Sequence, residues 1–246
     1  MFLKIEEIIR NLLVYLFVII TVPPLSLLAI ITRRHFIATF WCEVLLFLLG
    51  VKIKVFSKTQ LSDKERYIFM VNHQSQLDIP VLEKVLKPYQ IRFLAKRSLF
   101  NIPFFGWAIK ALGYLPVERK DPKDGLKSIL ACIETFKKGY SLIIFPEGTR
   151  SKTGELLPFK LGGFLIPLKT KSKVVPLAIW GTIKILPKGK IWFKTSQKEV
   201  KVFIGEPIET SSFTFKEKDK LSLIVREQIT EGLELLKTEF KRGGAL

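Results

Sequence analysis

The stretch YIFMVNHQSQLDIPVLEKVL (67–86) joins an unbroken apolar run to a polar loop and then to a helical pattern. Five apolar residues, Tyr67 to Val71, without alternation mark a strand buried on both faces, as in a sheet covered by helices. His73 follows two residues later, so its imidazole emerges at a strand end, where open α/β sheets build their clefts. Asp78 stands five positions further on. Positions five apart on a regular helix point about 140° away from each other, so a His73–Asp78 contact requires a turn within HQSQLD. With that turn the carboxylate fixes the tautomer of an acid-base histidine; without it Asp78 is a helix N-cap. The stretch alone fits both.

The same pattern recurs outward from this point. SLIIF (141–145) is a second short apolar run, VVPLAIW (174–180) and VKVFIG (200–205) are two more, and VKIKVFS (51–57) alternates with strand period. KIWFKTS (190–196) also alternates and predicts a hairpin with 200–205. Between the strands, Leu126, Ile129, Leu130, Ile133 and Phe136 share a helical face, as do Leu221, Val225, Ile229, Leu233, Leu236 and Phe240. The expectation is an α/β fold: a central mixed sheet of six or more strands flanked by helices.

The N-terminus has a different character. Asn11 to Thr32 carries no charged residue over 22 positions, roughly the length that crosses a hydrocarbon core. It runs into Arg33, Arg34 and His35 and resumes as FIATFWCEVLLFLLG (36–50), which is too short to span and contains Glu43. With Pro23-Pro24 inside the first stretch, this predicts a retained helical hairpin, a membrane anchor over 1–50 whose basic turn lies at headgroup level, with the α/β domain over 51–246. A single span fits the length as well; in either case the domain is expected on the cytoplasmic face.

Forty Lys and Arg against 22 acidic residues give a formal charge of +18. An anionic partner follows, and nucleic acid, phospholipid or a phosphorylated substrate would each serve. Nucleic acid leaves the apolar N-terminus unexplained and finds no binding motif here. Cys42 and Cys132 are unclustered, consistent with reduced buried thiols. The sequence lacks a G-x-S-x-G elbow, a P-loop and a histidine cluster, which argues against a serine hydrolase, an NTPase and a zinc enzyme. It names no cofactor and no metal.

A second polar loop, FPEGTRS (145–151), follows the strand at 141–145. Backbone amides around Gly148 and Thr149 suit an anion, and Arg150 offers a bidentate fork for phosphate; a plain surface turn is the alternative. Lys96, after a strand ending in FLAK, and Arg119, after GYLPVE, are two more cations placed to meet a phosphate.

Four motifs in order resemble the glycerolipid acyltransferase family. N-H-x4-D matches NHQSQLD (72–78), a Gly followed six residues on by Arg matches GYLPVER (113–119), F-P-E-G-T-R-S stands unaltered at 145–151, and VPLAI (175–179) matches the fourth. The likeness spans about residues 52–210 and is closest to the bacterial 1-acylglycerol-3-phosphate acyltransferases. It implies acyl transfer from acyl-CoA or acyl carrier protein to the sn-2 hydroxyl of lysophosphatidic acid, on an anionic phospholipid surface, without nucleic acid. A different acceptor, such as glycerol 3-phosphate or another lysophospholipid, fits the same motifs. By resemblance His73 is the general base and Asp78 its orienting carboxylate. Asn72, Lys96, Arg119, Glu147, Gly148, Thr149 and Arg150 line the acceptor site, with Glu147 in a positioning role. Phe93, Phe100, Phe104 and Phe105 are available to line an acyl groove, or to form ordinary core.

Overall fold

The computed structural model describes residues 2–117 and 122–243. Seven strands share one sheet: β1 (Lys52–Ser57), β2 (Ile68–Val71), β3 (Ile91–Lys96), β4 (Leu115–Val117), β5 (Ser141–Ile144), β6 (Val174–Trp180) and β7 (Glu199–Ile204). Their order is β1-β7-β6-β2-β5-β3-β4. β6, β2, β5, β3 and β4 are parallel, β7 is antiparallel to β6, and β1 is parallel to β7. The sheet is therefore mixed, and five parallel strands bring their C-terminal ends to one edge. The residues that follow those ends are the loops from which a cleft is built.

Eight helices cover the two faces: α1 (Phe2–Thr32), α2 (Phe36–Leu48), α3 (Asp78–Val85), α4 (Phe105–Ala111), α5 (Pro122–Lys137), α6 (Leu165–Thr170), α7 (Thr182–Ile185) and α8 (Lys218–Gly243). Strand periodicity divides the core. Phe69 and Val71 join Val14, Leu46, Val81, Leu82 and Ile109 of α1 to α4 on one face, whereas Ile68 and Met70 join Ile133, Leu168, Val225 and Ile229 of α5, α6 and α8 on the other. Coverage on both sides is why β2, β5 and β6 are apolar without alternation. β1 pairs only with β7, so as an edge strand it keeps Lys52 and Lys54 in solvent.

The N-terminal hairpin forms as α1 and α2 joined at Arg33–His35, with α1 continuous through Pro23 and Pro24 and Arg33 in the left-handed region at φ 53°. It is packed on the domain. Val14, Ala29, Leu46 and Leu49 are buried in the same core as the sheet, and buried Asn11 bonds to Phe193. At the turn, His35 Nε2 lies 3.2 Å from Oε1 of Glu83, a buried carboxylate that accepts from Thr39 and Tyr114. A buried carboxylate needs donors, and the hairpin turn supplies one.

Two expectations are corrected. Residues 190–196 form no strand; Ile191 and Trp192 are exposed, and the segment is held to α1. Its bonds to α1 come from the consecutive residues Ile191, Trp192 and Phe193, which is not the two-sided pattern of a strand. On α5, Leu126 and Leu130 are exposed, because the helix meets the sheet through Ile129, Cys132, Ile133 and Phe136. Phe240 lies outside the described side chains.

Candidate active site

β2 ends at Val71, and the next residue, Asn72, locks the strand end in place. Its side chain donates to the Ile179 carbonyl at 3.0 Å and accepts the Ile179 amide at 2.7 Å. Both halves of the amide bond to β6, so Asn72 ties the end of β2 to its neighbour and sets the position of His73.

The chain then turns so that Asp78, at the start of α3, faces back. Asp78 Oδ2 lies 2.7 Å from His73 Nδ1 and also accepts the amides of Gln74 at 2.7 Å and Ser75 at 2.9 Å. Oδ1 accepts the Thr182 hydroxyl at 2.5 Å. Asp78 is fully buried. Because both of its oxygens already serve as acceptors, Nδ1 carries the imidazole proton and Nε2 is left with its lone pair. The ring lies flat against Phe145, with centroids 3.9 Å apart and planes inclined by 16°. Its plane is thus fixed from two directions.

FPEGTRS, following β5, wraps around the same histidine. Glu147 Oε1 accepts the His73 amide at 2.6 Å, and the Ser151 amide donates to the His73 carbonyl at 2.8 Å. Glu147 Oε2 accepts the Leu157 amide at 2.8 Å. Burial pushes the Glu147 carboxyl up to about 7, against the opposing effect of its two backbone donors. Glu147 therefore positions the loops and makes no ion pair with an arginine among the described residues. Gly148 has φ +69°, and a Cβ there would lie 2.9 Å from Lys160 Cδ. Glycine is needed for the positive φ of the turn, across which the lysine stem lies.

The profile of the family described as Acyltransferase matches residues 52–180, a span that contains both loops. The chain belongs to that acyltransferase family. It is 36% identical over 91% of its length to a chloroplastic 1-acyl-sn-glycerol-3-phosphate acyltransferase of Brassica napus, and spans 64% of that relative. It is 30% identical over 83% of its length to the 1-acyl-sn-glycerol-3-phosphate acyltransferase of Borreliella burgdorferi, covering 81% of it. The crystal structure of the 1-acyl-sn-glycerophosphate acyltransferase PlsC from Thermotoga maritima superposes with a TM-score of 0.76 at 27% identity, over 96% of this chain and 98% of that one.

Of the other expected residues of this acyltransferase, Lys96, Thr149 and Arg150 lie at or after the same strand ends. Lys96 is the exposed last residue of β3. Thr149 is exposed and Arg150 half-buried beyond β5; the Arg150 guanidinium has no partner among the described residues. Arg119 lies outside the described residues, two positions beyond the end of β4. Phe93 is core, packed against Tyr114, while Phe105 is partly exposed. The amides of His73, Gly148 and Ser151 are all occupied by protein acceptors, which removes them as oxyanion donors. Among the described residues no three His, Cys, Asp or Glu side chains are grouped to hold a metal ion.

Three residues of this edge escape a reading of the sequence. Thr182 bonds to Asp78, Lys188 Nζ donates to Thr149 Oγ1 at 2.9 Å and to the Arg150 carbonyl at 2.7 Å, and Lys160 crosses Gly148. The signal for Thr182 was present. A polar residue just past a buried parallel strand has the same address as His73 and Glu147.

Proposed function

We propose that this acyltransferase moves a fatty acyl group from an acyl thioester, acyl-CoA or acyl carrier protein, to the sn-2 hydroxyl of 1-acylglycerol 3-phosphate, giving phosphatidic acid. The observation that carries the reading is the joining of the His73–Asp78 pair to FPEGTRS through both backbone groups of His73. It couples a proton acceptor to an arginine-bearing loop of the kind that takes phosphate.

His73 Nε2 takes the hydroxyl proton as the oxygen attacks the thioester carbonyl. Asp78 holds the tautomer and stabilises the imidazolium that results. Collapse of the tetrahedral intermediate breaks the C–S bond, and the imidazolium returns its proton to the departing thiolate. The new ester C–O bond replaces the thioester, and no acyl-enzyme forms. Arg150, Lys96 and Arg119 bind the acceptor phosphate, while Glu147, Gly148 and Asn72 shape the loops that present it.

Residues 1–50 anchor the domain of 51–246 on the cytoplasmic face of the cell membrane, embedded in one leaflet. The support is that α1 touches the domain from Asn11, which bonds to Phe193, to Ala29, which is buried in the same core as the sheet. At 1.5 Å per residue that stretch covers roughly a bilayer core, leaving no length to span it. The exposed apolar residues of the hairpin, among them Ile19, Ile31 and Phe47, then face lipid, and the net positive charge draws the protein to anionic headgroups.

A panel of acceptors tests the assignment. Purified protein in detergent receives acyl-CoA or acyl carrier protein thioester with lysophosphatidic acid, glycerol 3-phosphate or a lysophospholipid bearing a headgroup, while thiol release and lipid product are followed. Phosphatidic acid is expected from lysophosphatidic acid; reaction of glycerol 3-phosphate alone would overturn the choice of acceptor.

A further inference from the structure

Between β6 and β7 the chain crosses from residue 181 to 198 with little regular structure of its own, only the single turn α7. At its inner end it touches both loops of the site. Thr182, fully buried, donates to Asp78 Oδ1 at 2.5 Å; the Leu186 carbonyl accepts Ser75 Oγ at 2.7 Å; Lys188 reaches Thr149 and the Arg150 carbonyl. At its outer end it is bound to α1. Asn11 both donates to the Phe193 carbonyl at 2.8 Å and accepts its amide at 2.9 Å, Trp192 donates to Glu7 at 3.0 Å, and Tyr15 bonds the Ile191 carbonyl. The Lys194 amide closes the segment on itself through the Ile185 carbonyl at 2.8 Å.

Gly181 explains how the crossing starts. Its φ is +101°, and a Cβ there would lie 2.5 Å from the Glu199 carbonyl oxygen. Only glycine turns the chain this sharply out of β6, and the turn swings Thr182 over Asp78. Among the described residues the buried Oδ1 has no other donor. If the hydroxyl is lost, the carboxylate is left with an unsatisfied buried oxygen, and rotating to recover a partner draws Oδ2 away from His73.

We propose that Thr182 is a positioning residue of the transfer reaction, acting through Asp78, and that α1 holds it in place through the segment 181–198. This rests on the reading of His73 and Asp78 given above. A segment lacking its own ladder takes its conformation from its contacts, so loosening the outer end at Asn11 disturbs the inner end at Thr182 and Lys188.

The test uses the full chain in lipid nanodiscs, with acyl-CoA and lysophosphatidic acid, comparing wild type with Thr182→Val, Thr182→Ser and Asn11→Ala. Hydrogen exchange over 72–78 and 181–195 and thermal melting accompany the kinetics. Thr182→Val is isosteric and is expected to lower kcat about ten- to a hundred-fold, the range for one hydrogen bond to a buried charge, while leaving KM within about two-fold. Thr182→Ser restores most of the rate. Asn11→Ala lowers kcat in the same sense and speeds exchange in both segments. The proposal is overturned if Thr182→Val keeps the wild-type kcat, if Thr182→Ser is as poor as Thr182→Val, or if Asn11→Ala leaves rate and exchange unchanged. Should wild type make no product from lysophosphatidic acid, the functional reading fails separately. Exchange at Gln74 and Ser75, whose amides Asp78 accepts, then decides the positioning claim: faster in Thr182→Val supports it, unchanged overturns it.

Discussion

His73 and Asp78 meet at 2.7 Å through a turn in which the carboxylate also gathers the amides of Gln74 and Ser75. The contact is built by the backbone as much as by the side chains. Asp78 is fully buried and has all its hydrogen-bond partners, so it is a fixed acceptor for the imidazole N–H. The pair therefore works as a unit with a defined proton position.

Asp78→Asn tests that position. With its NH2 in place of Oδ2 the asparagine loses the acceptor for His73 Nδ1 and for the Gln74 and Ser75 amides; with its NH2 in place of Oδ1 it faces the Thr182 hydroxyl and presents the imidazole with a neutral carbonyl instead of a carboxylate. The expected loss in kcat is on the order of 10⁴, with KM little changed, by analogy with the same substitution in serine-protease triads. Steady-state kinetics with a melting curve measure it; a loss below ten-fold on a folded protein would speak against a tautomer-fixing role.

Glu147 predicts a pH signature of stability. Its carboxyl is raised from the ordinary value of 4.5 to about 7, so the folded state binds more protons than the unfolded state between those values. The stabilisation from protonation is fully present below pH 4.5 and is lost as pH rises through 7, on the order of 3 kcal/mol in all. Glu147→Gln lacks this slope and leaves one backbone donor facing an NH2. The melting-temperature advantage of wild type over the variant should shrink from pH 5 to pH 8; a constant difference contradicts the raised value.

Arg150 carries the acceptor phosphate in this scheme. Arg150→Lys keeps charge but loses the fork, and is expected to raise KM for lysophosphatidic acid about ten-fold, with Arg150→Ala worse. The control is a monoacylglycerol acceptor, which has no phosphate. Equal losses with both acceptors would place Arg150 outside phosphate binding.

The strands were legible because burial on both faces leaves a plain mark, the unbroken apolar run, and β2, β5 and β6 fall where those runs stand. The strand-end addresses of His73 and Glu147 followed from them. Residues 190–196 were misread because alternation in the sequence does not show that a ladder is made; consecutive residues 191–193 bond to α1 instead. The address of Thr182, just past β6, was legible, but its partner was not, because Asp78 is 104 residues away in the chain. The bonds of Asn72 to Ile179 were not legible, because they depend on β6 lying beside β2.

The anchor reading has its own check. A tag at the N-terminus of protein reconstituted in sealed, inside-out vesicles should be digested along with the domain if α1 lies in one leaflet. A tag protected on the far side would show a span, and α1 would then have to leave its contacts with Phe193 and Leu48.

The most direct measurement compares phosphatidic acid formation by wild type and His73→Ala in the same bilayers, with acyl-CoA or acyl carrier protein thioester and lysophosphatidic acid. Wild type should release thiol and form phosphatidic acid in equal amounts. His73→Ala should form none above background while melting as a folded, membrane-bound protein. Near wild-type turnover by His73→Ala, or thiol release from wild type without phosphatidic acid, would contradict a histidine-activated hydroxyl as the attacking group.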